Sequence, residues 1–195
     1  MAIFQSLEEA AKNMNFKNSR EALDWYRNEA LKMDKVDAEE VMKQTQPFRI
    51  FQNLDTPAIG KMYMFTYDPK FKDILPFYDM YPLVFPISFN NNGFLGLNLH
   101  YLPPLLRAKL MDSLYSIANN NKYNKSMKLM ISYDILKNAS NTFSSFENCI
   151  KRYLFGHVKS SFHYVNPIDW DKAVMLPLQR WVVNPNRKYA KSPPY

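Results

Sequence analysis

Glycine is scarce in this chain: four residues in 195, two of which, Gly93 and Gly96, stand only three apart. Cysteine is scarcer still. The single Cys149 excludes an internal disulfide, so packing and hydrogen bonds must hold the fold. No apolar run approaches the ~18 residues of a membrane-spanning helix, and no membrane partner is expected. Glu8 and Glu9 stand where a secretory leader would be apolar, so no leader is expected either. The motifs that announce common chemistries are also missing: there is no P-loop, no G-x-S-x-G and no H-E-x-x-H. A protein that is not an enzyme and needs no cofactor is expected.

What is present is apolar mass and lopsided charge. Hydrophobic residues make up 47% and aromatics 15% of the chain, enough for one substantial core and the reverse of a disordered composition. The formal charge is +7, unevenly placed. Residues 1–56 hold 8 Lys/Arg against 10 Asp/Glu, whereas residues 121–195 hold 12 against 4. A one-sided basic half is the electrostatic footprint of a polyanionic partner, although a solvated charged surface produces the same count.

Periodicity and turn chemistry order the chain into an α+β fold. Asn18 and Glu21 read as a capping box before an apolar stripe of Ala22, Leu23, Tyr26, Ala30 and Leu31. Asp37 with Glu40 opens a second short helix that Pro47 ends. Residues 61–68 read as a strand. Residues 82–89 alternate, with Leu83, Phe85, Ile87 and Phe89 on one face and Pro86 marking an edge or bulged strand. The turn Asn90-Asn91-Asn92-Gly93 leads into GFLGLNLHYLPP, where Leu95, Leu97, Leu99 and Tyr101 alternate with Gly96, Asn98 and an outward His100. Gly96 marks a bend, a bulge or a close backbone approach. Residues 60–102 therefore form a small antiparallel sheet or an SH3-like barrel, flanked by several helices. Pro103 and Pro104 suit the start of a helix carried by Leu106, Leu110, Leu114 and Ile117. Residues 121–128 read as a basic loop, and residues 129–140 as helix in their second half. Residues 143–160 read as a helix with Phe143, Phe146, Ile150, Tyr153, Leu154 and Val158 on its stripe and Cys149 buried on the same register. Residues 161–165 form a short strand, and Asn166-Pro167 opens a helical turn through Met175. The organisation is an N-terminal helical arm (1–56), an α+β unit (57–182) and a basic extended tail (183–195).

Candidate chemistry is thin. His157 and His163 lack partners at zinc-ligand spacing, so no metal site is expected. Asp68, Asp73 and Asp79 could cluster as a Mg²⁺-dependent nuclease would need, but a Pro-bounded loop uses Asp at its turns anyway. Gly93-x-x-Gly96 has the spacing of the KH-domain nucleotide clamp, but that loop joins two helices. Basic residues interleaved with aromatics are the remaining lead, because cations meet phosphates and rings stack on bases. Three clusters qualify: Lys122, Lys125 and Lys128 around Tyr123; Lys151, Arg152 and Lys159 around Tyr153 and Tyr164; and Arg187, Lys188 and Lys191 around Tyr189. For Tyr153 the apolar stripe argues for a core place instead.

The runs GKMYMFTYDPKFKDILPFYDMYPLVFPI, GFLGLNLHYLPPLLRAKLMDSLY, ISYDILKNAS, FENCIKRYLFGHVKSSFHYV and DWDKAVMLPL resemble the DNA end protector, or head-completion, proteins of T-even-like contractile-tail bacteriophages, as does ALDWYRNEA near the N-terminus. The resemblance covers about three quarters of the chain, and its motifs are structural rather than catalytic. It implies a virion protein, present in host cytoplasm during assembly, that associates with double-stranded DNA ends or the portal and neck region and shields the genome terminus. The alternative it leaves is a connector of the tail or baseplate that touches other virion proteins and no DNA.

Overall fold

Alternation along the central strands puts large side chains on both faces of one sheet, and the fold follows from covering both. The structure, a computed structural model, describes residues 10–12, 14–15, 19–33, 36–44, 57–118, 120–142, 148–184 and 193. Along the chain the elements are α1 (Ser19–Leu31), α2 (Ala38–Gln44), β1 (Met62–Met64), β2 (Phe77–Asp79), β3 (Leu83–Asn90), β4 (Gly93–Asn98), α3 (Pro104–Ala118), α4 (Lys125–Thr142), β5 (Ile150–Leu154), β6 (His163–Val165), α5 (Trp170–Met175) and β7 (Trp181–Val183). Short 3₁₀ turns occupy Leu99–Tyr101, Phe155–His157 and Pro167–Asp169.

The main sheet is antiparallel throughout, in the order β5-β4-β3-β1-β6, and β2 pairs with β7 in a separate two-stranded ribbon. The outer strands β5 and β6 do not pair, so the sheet is open and the barrel alternative is not formed. Met62, Met64, Leu83, Phe85 and Leu97 face the helices and join Leu110, Met111, Leu114, Leu136, Trp170 and Val174 in the larger core. Tyr63, Phe65, Tyr67, Val84, Phe94 and Tyr153 face the other way into a second, aromatic core roofed by Phe155, Val158 and Phe162. Each fully buried Phe or Leu contributes on the order of 1.5–3 kcal/mol. Edge-to-face ring pairs such as Phe65–Tyr153, with centroids 5.2 Å apart, add to the area term.

The first two helices belong to the larger core. Ala30, Ala38, Val41 and Met42 are buried in it, and Arg27 ties α1 to α5 and α3 through Asp171 (2.7 Å) and Asp112 (2.7 Å). Asp37 caps α2 as its sequence pattern requires, accepting from the amides of Glu39 (2.9 Å) and Glu40 (3.3 Å). Asn18 and Pro47 lie outside the described residues.

Several expectations change. The hairpin forms, with Asn90 opposite Gly93 and a bulge between Pro86 and Ser88, but β3 is the middle strand and not an edge. Pro86 is tolerated there because β1 reaches only Leu83 and Val84, leaving no ladder partner on that side. The β1 strand ends at Met64, and the predicted strand over 61–68 continues only as an isolated bridge from Tyr67 to Val158. Residues 125–142 are helical throughout, with the Asn124 side chain accepting from the Met127 amide at 2.9 Å, so the basic loop shortens. The largest correction is residues 150–154. They form strand β5 instead of a helix, because pairing along β4 lets Tyr153 enter the aromatic core. Residues 143–147 lie outside the described residues. The chain after Asn98 turns into a 3₁₀ segment, which folds His100 inward to full burial; it does not point to solvent.

Candidate nucleic-acid interface

The close approach of β5 to β4 is where the glycines matter. A Cβ on Gly93 would lie 1.9 Å from the Tyr153 carbonyl oxygen, and one on Gly96 would lie 2.2 Å from a Val84 methyl. Neither glycine adopts the left-handed backbone; that conformation belongs to Gly60, with φ of 75°, in the turn before β1. Gly93 and Gly96 therefore serve close packing and not a ligand clamp.

Seating β5 there brings Lys151 and Arg152 beside the β2–β7 ribbon and the loop that precedes it. Between them runs a groove of about 510 Å³. Phe71, Phe77, Tyr78 and Tyr101 form its aromatic walls, and Tyr67 and Tyr153 lie beneath. Lys70, Lys151 and Arg152 supply positive charge. The Lys151 ammonium sits 4.1 Å from the Tyr101 ring centroid, and burial lowers its pKa from the usual lysine value. Lys70 lies over Phe71 at 5.4 Å, and the Phe71 ring is 57% exposed. Arg152 is exposed and also borders a shallow hollow at Asn90, Asn91, Asn92 and Leu95.

Under the groove lies a buried polar knot. Asp79 accepts from His100 Nδ1 (2.7 Å), Asn98 Nδ2 (3.2 Å) and the amides of Tyr81 (3.2 Å) and Arg180 (3.2 Å). Asn98 Nδ2 also reaches the Tyr153 hydroxyl at 3.1 Å, and its Oδ1 accepts from the His100 amide at 3.0 Å. Burial lowers the His100 pKa despite the attraction of Asp79, so the imidazole is neutral and donates from Nδ1. Burial also pushes the Tyr101 and Tyr153 phenols above their ordinary values and the Cys149 thiol up to about 12. Each of these three groups stays protonated at neutral pH and offers no ready nucleophile.

The predicted cations are thus dispersed. Lys151 and Arg152 line the groove, while Lys159 is exposed beyond the 3₁₀ turn that follows β5. Lys122 is exposed in the turn before α4, Lys125 opens that helix and Lys128 is half-buried along it. Neither Lys122 nor Lys128 borders the groove. Arg187, Lys188 and Lys191 lie outside the described residues, whose last continuous stretch runs to Asn184 beside the ribbon, where the Asn184 amide donates to Pro76 O at 3.0 Å. The three carboxylates are not assembled. Asp68 pairs with Lys72 at 3.0 Å, Asp79 is consumed by the knot, and among the described residues no group of three or more His, Cys, Asp or Glu could hold a metal ion. Lys70, Phe71, Tyr78 and Tyr101 escaped the sequence reading as site residues. The Lys70-Phe71-Lys72 triplet in a Pro-bounded loop was the available signal.

Fold and groove together define a class: an open α+β scaffold whose sheet edge carries a basic, aromatic-lined cleft with no assembled catalytic group among the described residues. Residues 5–192 match the family described as Phage T4 terminal DNA protecting protein, and the chain belongs to that family. Neither the comparison with curated proteins nor that with solved structures finds a match.

Proposed function

We propose that this protein binds the ends of packaged double-stranded phage DNA in the virion, at the portal or neck, and shields them from exonucleases. The match over residues 5–192 to a family described as terminal DNA protecting carries the reading. The excess of cations beyond residue 120 and the Lys151–Arg152 pair at the groove support it. Protection of this kind makes and breaks no bond: occupying the terminus denies a nuclease its substrate. The cations assigned to phosphate are Lys122, Lys125, Lys128, Lys151, Arg152 and Lys159, with Arg187, Lys188 and Lys191 in the tail.

The test is exonuclease digestion of linear duplex DNA with rising amounts of the protein, with binding to the same sequence as a closed circle measured alongside. Dose-dependent survival of the linear DNA and preference for it over the circle are expected. Unchanged digestion, together with stable incorporation into tails or baseplates, would instead establish a connector with no DNA role.

A further inference from the structure

A DNA end differs from its interior in one physical respect that a groove can read. A terminal nucleotide leaves the stack cheaply, whereas an internal one must be flipped out at a cost of a few kcal/mol. The groove between β5 and the β2–β7 ribbon has the attributes of a receptor for one such nucleotide. Its ~510 Å³ falls within the roughly 300–1,000 Å³ of small-ligand sites. Its walls offer an exposed ring, Phe71, together with the half-buried Tyr78 and Tyr101. Lys70, Lys151 and Arg152 surround those rings. Asp79, the carboxylate among the described lining residues, is 4% exposed and its oxygens already accept four hydrogen bonds, so it lies beneath the groove and offers no free acceptor to a ligand, while three cations outnumber its charge.

The walls are also stiff. Phe77 stacks on Tyr101 (6.0 Å, 26°), and Trp181 packs edge-on against both, at 5.5 Å and 4.8 Å. A preformed slot loses little freedom when it is filled. Phe71 is the exception: it is exposed on the loop between β1 and β2, with the Lys70 ammonium 5.4 Å from its ring centroid. An exposed phenyl ring between two lysines has little to recommend it in water. It has a clear use against the face of a base whose phosphate Lys70 can reach.

We infer that this groove takes the frayed terminal nucleotide of a DNA strand, its base against Phe71 and Tyr78 and its phosphate toward Lys70, Lys151 and Arg152. The inference rests on the end-binding reading above and adds the site and the ligand. The geometry accounts for end selectivity with little sequence selectivity, because stacking uses the π face that every base presents and the buried Asp79 oxygens are already occupied.

The test is fluorescence anisotropy with one duplex in three forms: with a short single-stranded overhang, blunt, and sealed at both ends by hairpin loops. The wild-type protein is expected to bind the overhang most tightly and the sealed form least. Phe71→Ala, at an exposed position, should lose about 5- to 150-fold on the overhang, the equivalent of one base stack, and little on the sealed form. Phe71→Trp should retain the preference. If Phe71→Ala binds the overhang as tightly as wild type while open ends remain preferred, the groove assignment is overturned and end binding stands. If wild type binds all three forms equally or binds none, end binding itself is overturned and the groove with it.

Discussion

Full enclosure of His100 makes stability depend on pH in a direction that can be worked out. Burial lowers its pKa below the unfolded value of about 6.5. Below that value the unfolded chain takes up a proton that the folded imidazole refuses, so acidification favours unfolding. The stabilisation is complete above about pH 6.5 and is lost as pH falls toward the folded pKa. His163, half-buried, shifts in the same direction from the same cause and adds to the slope. Thermal melts between about pH 7.5 and 5 should show a falling midpoint, and His100→Gln should flatten that fall while keeping an amide donor for Asp79. An identical pH slope in the variant would show that the buried imidazole is not its source.

At the scale of elements, β5 decides the most and was read least well. Its apolar residues Ile150, Tyr153 and Leu154 suit a helical stripe, and the same residues suit a strand once a partner exists. The partner is β4, and Gly93 makes the approach possible, while Gly96 leaves room for Val84 of β3. Gly93→Ala should therefore cost about 1–3 kcal/mol, because the new methyl meets backbone and not a side chain that can rotate away. Urea denaturation followed by circular dichroism measures it; an unchanged midpoint would mean that β5 sits further from β4. The same substitution should loosen the groove, since Lys151 and Arg152 ride on that strand. The hairpin was legible because its turn and alternation are local. The β2–β7 ribbon was not, because Asp79 and Trp181 meet only across a long stretch of chain.

For the molecule as a whole, the formal +7 is a poor guide to the charge a partner meets. Arg107 is buried and donates to the carbonyls of Leu102 (2.7 Å), Val174 (2.9 Å) and His100 (3.2 Å). Arg27 is bound to Asp171, and Lys172 is buried with a bond to Asp169 at 3.1 Å. These cations are engaged within the fold, so under the proposed function the charge offered to phosphate comes from the remaining lysines and Arg152. Binding to duplex DNA should weaken linearly in a plot of log affinity against log salt, with a slope near −0.9 for each phosphate engaged. Arg152→Ala should make that slope shallower by about one, and Arg107→Ala should lower stability instead. Filter binding across a salt series reads the first and thermal melting the second; a slope unchanged by Arg152→Ala would remove that residue from the interface.

The amino-acid sequence by itself determined what short-range physics controls: the α+β class, the Asp37 cap, the hairpin with its bulge near Pro86, the helix opening at Pro104, the asymmetric charge and the Lys151–Arg152 pair. It also carried the family, through long runs of residues and not through any single motif. Tertiary structure alone decided that the sheet stays open, that residues 150–154 are strand, that His100 turns inward and that a groove lies between β5 and the ribbon. The physical reason is common to all four. Each depends on which surface a segment is pressed against, and those surfaces come from residues tens of positions away, joined by packing that no local pattern records.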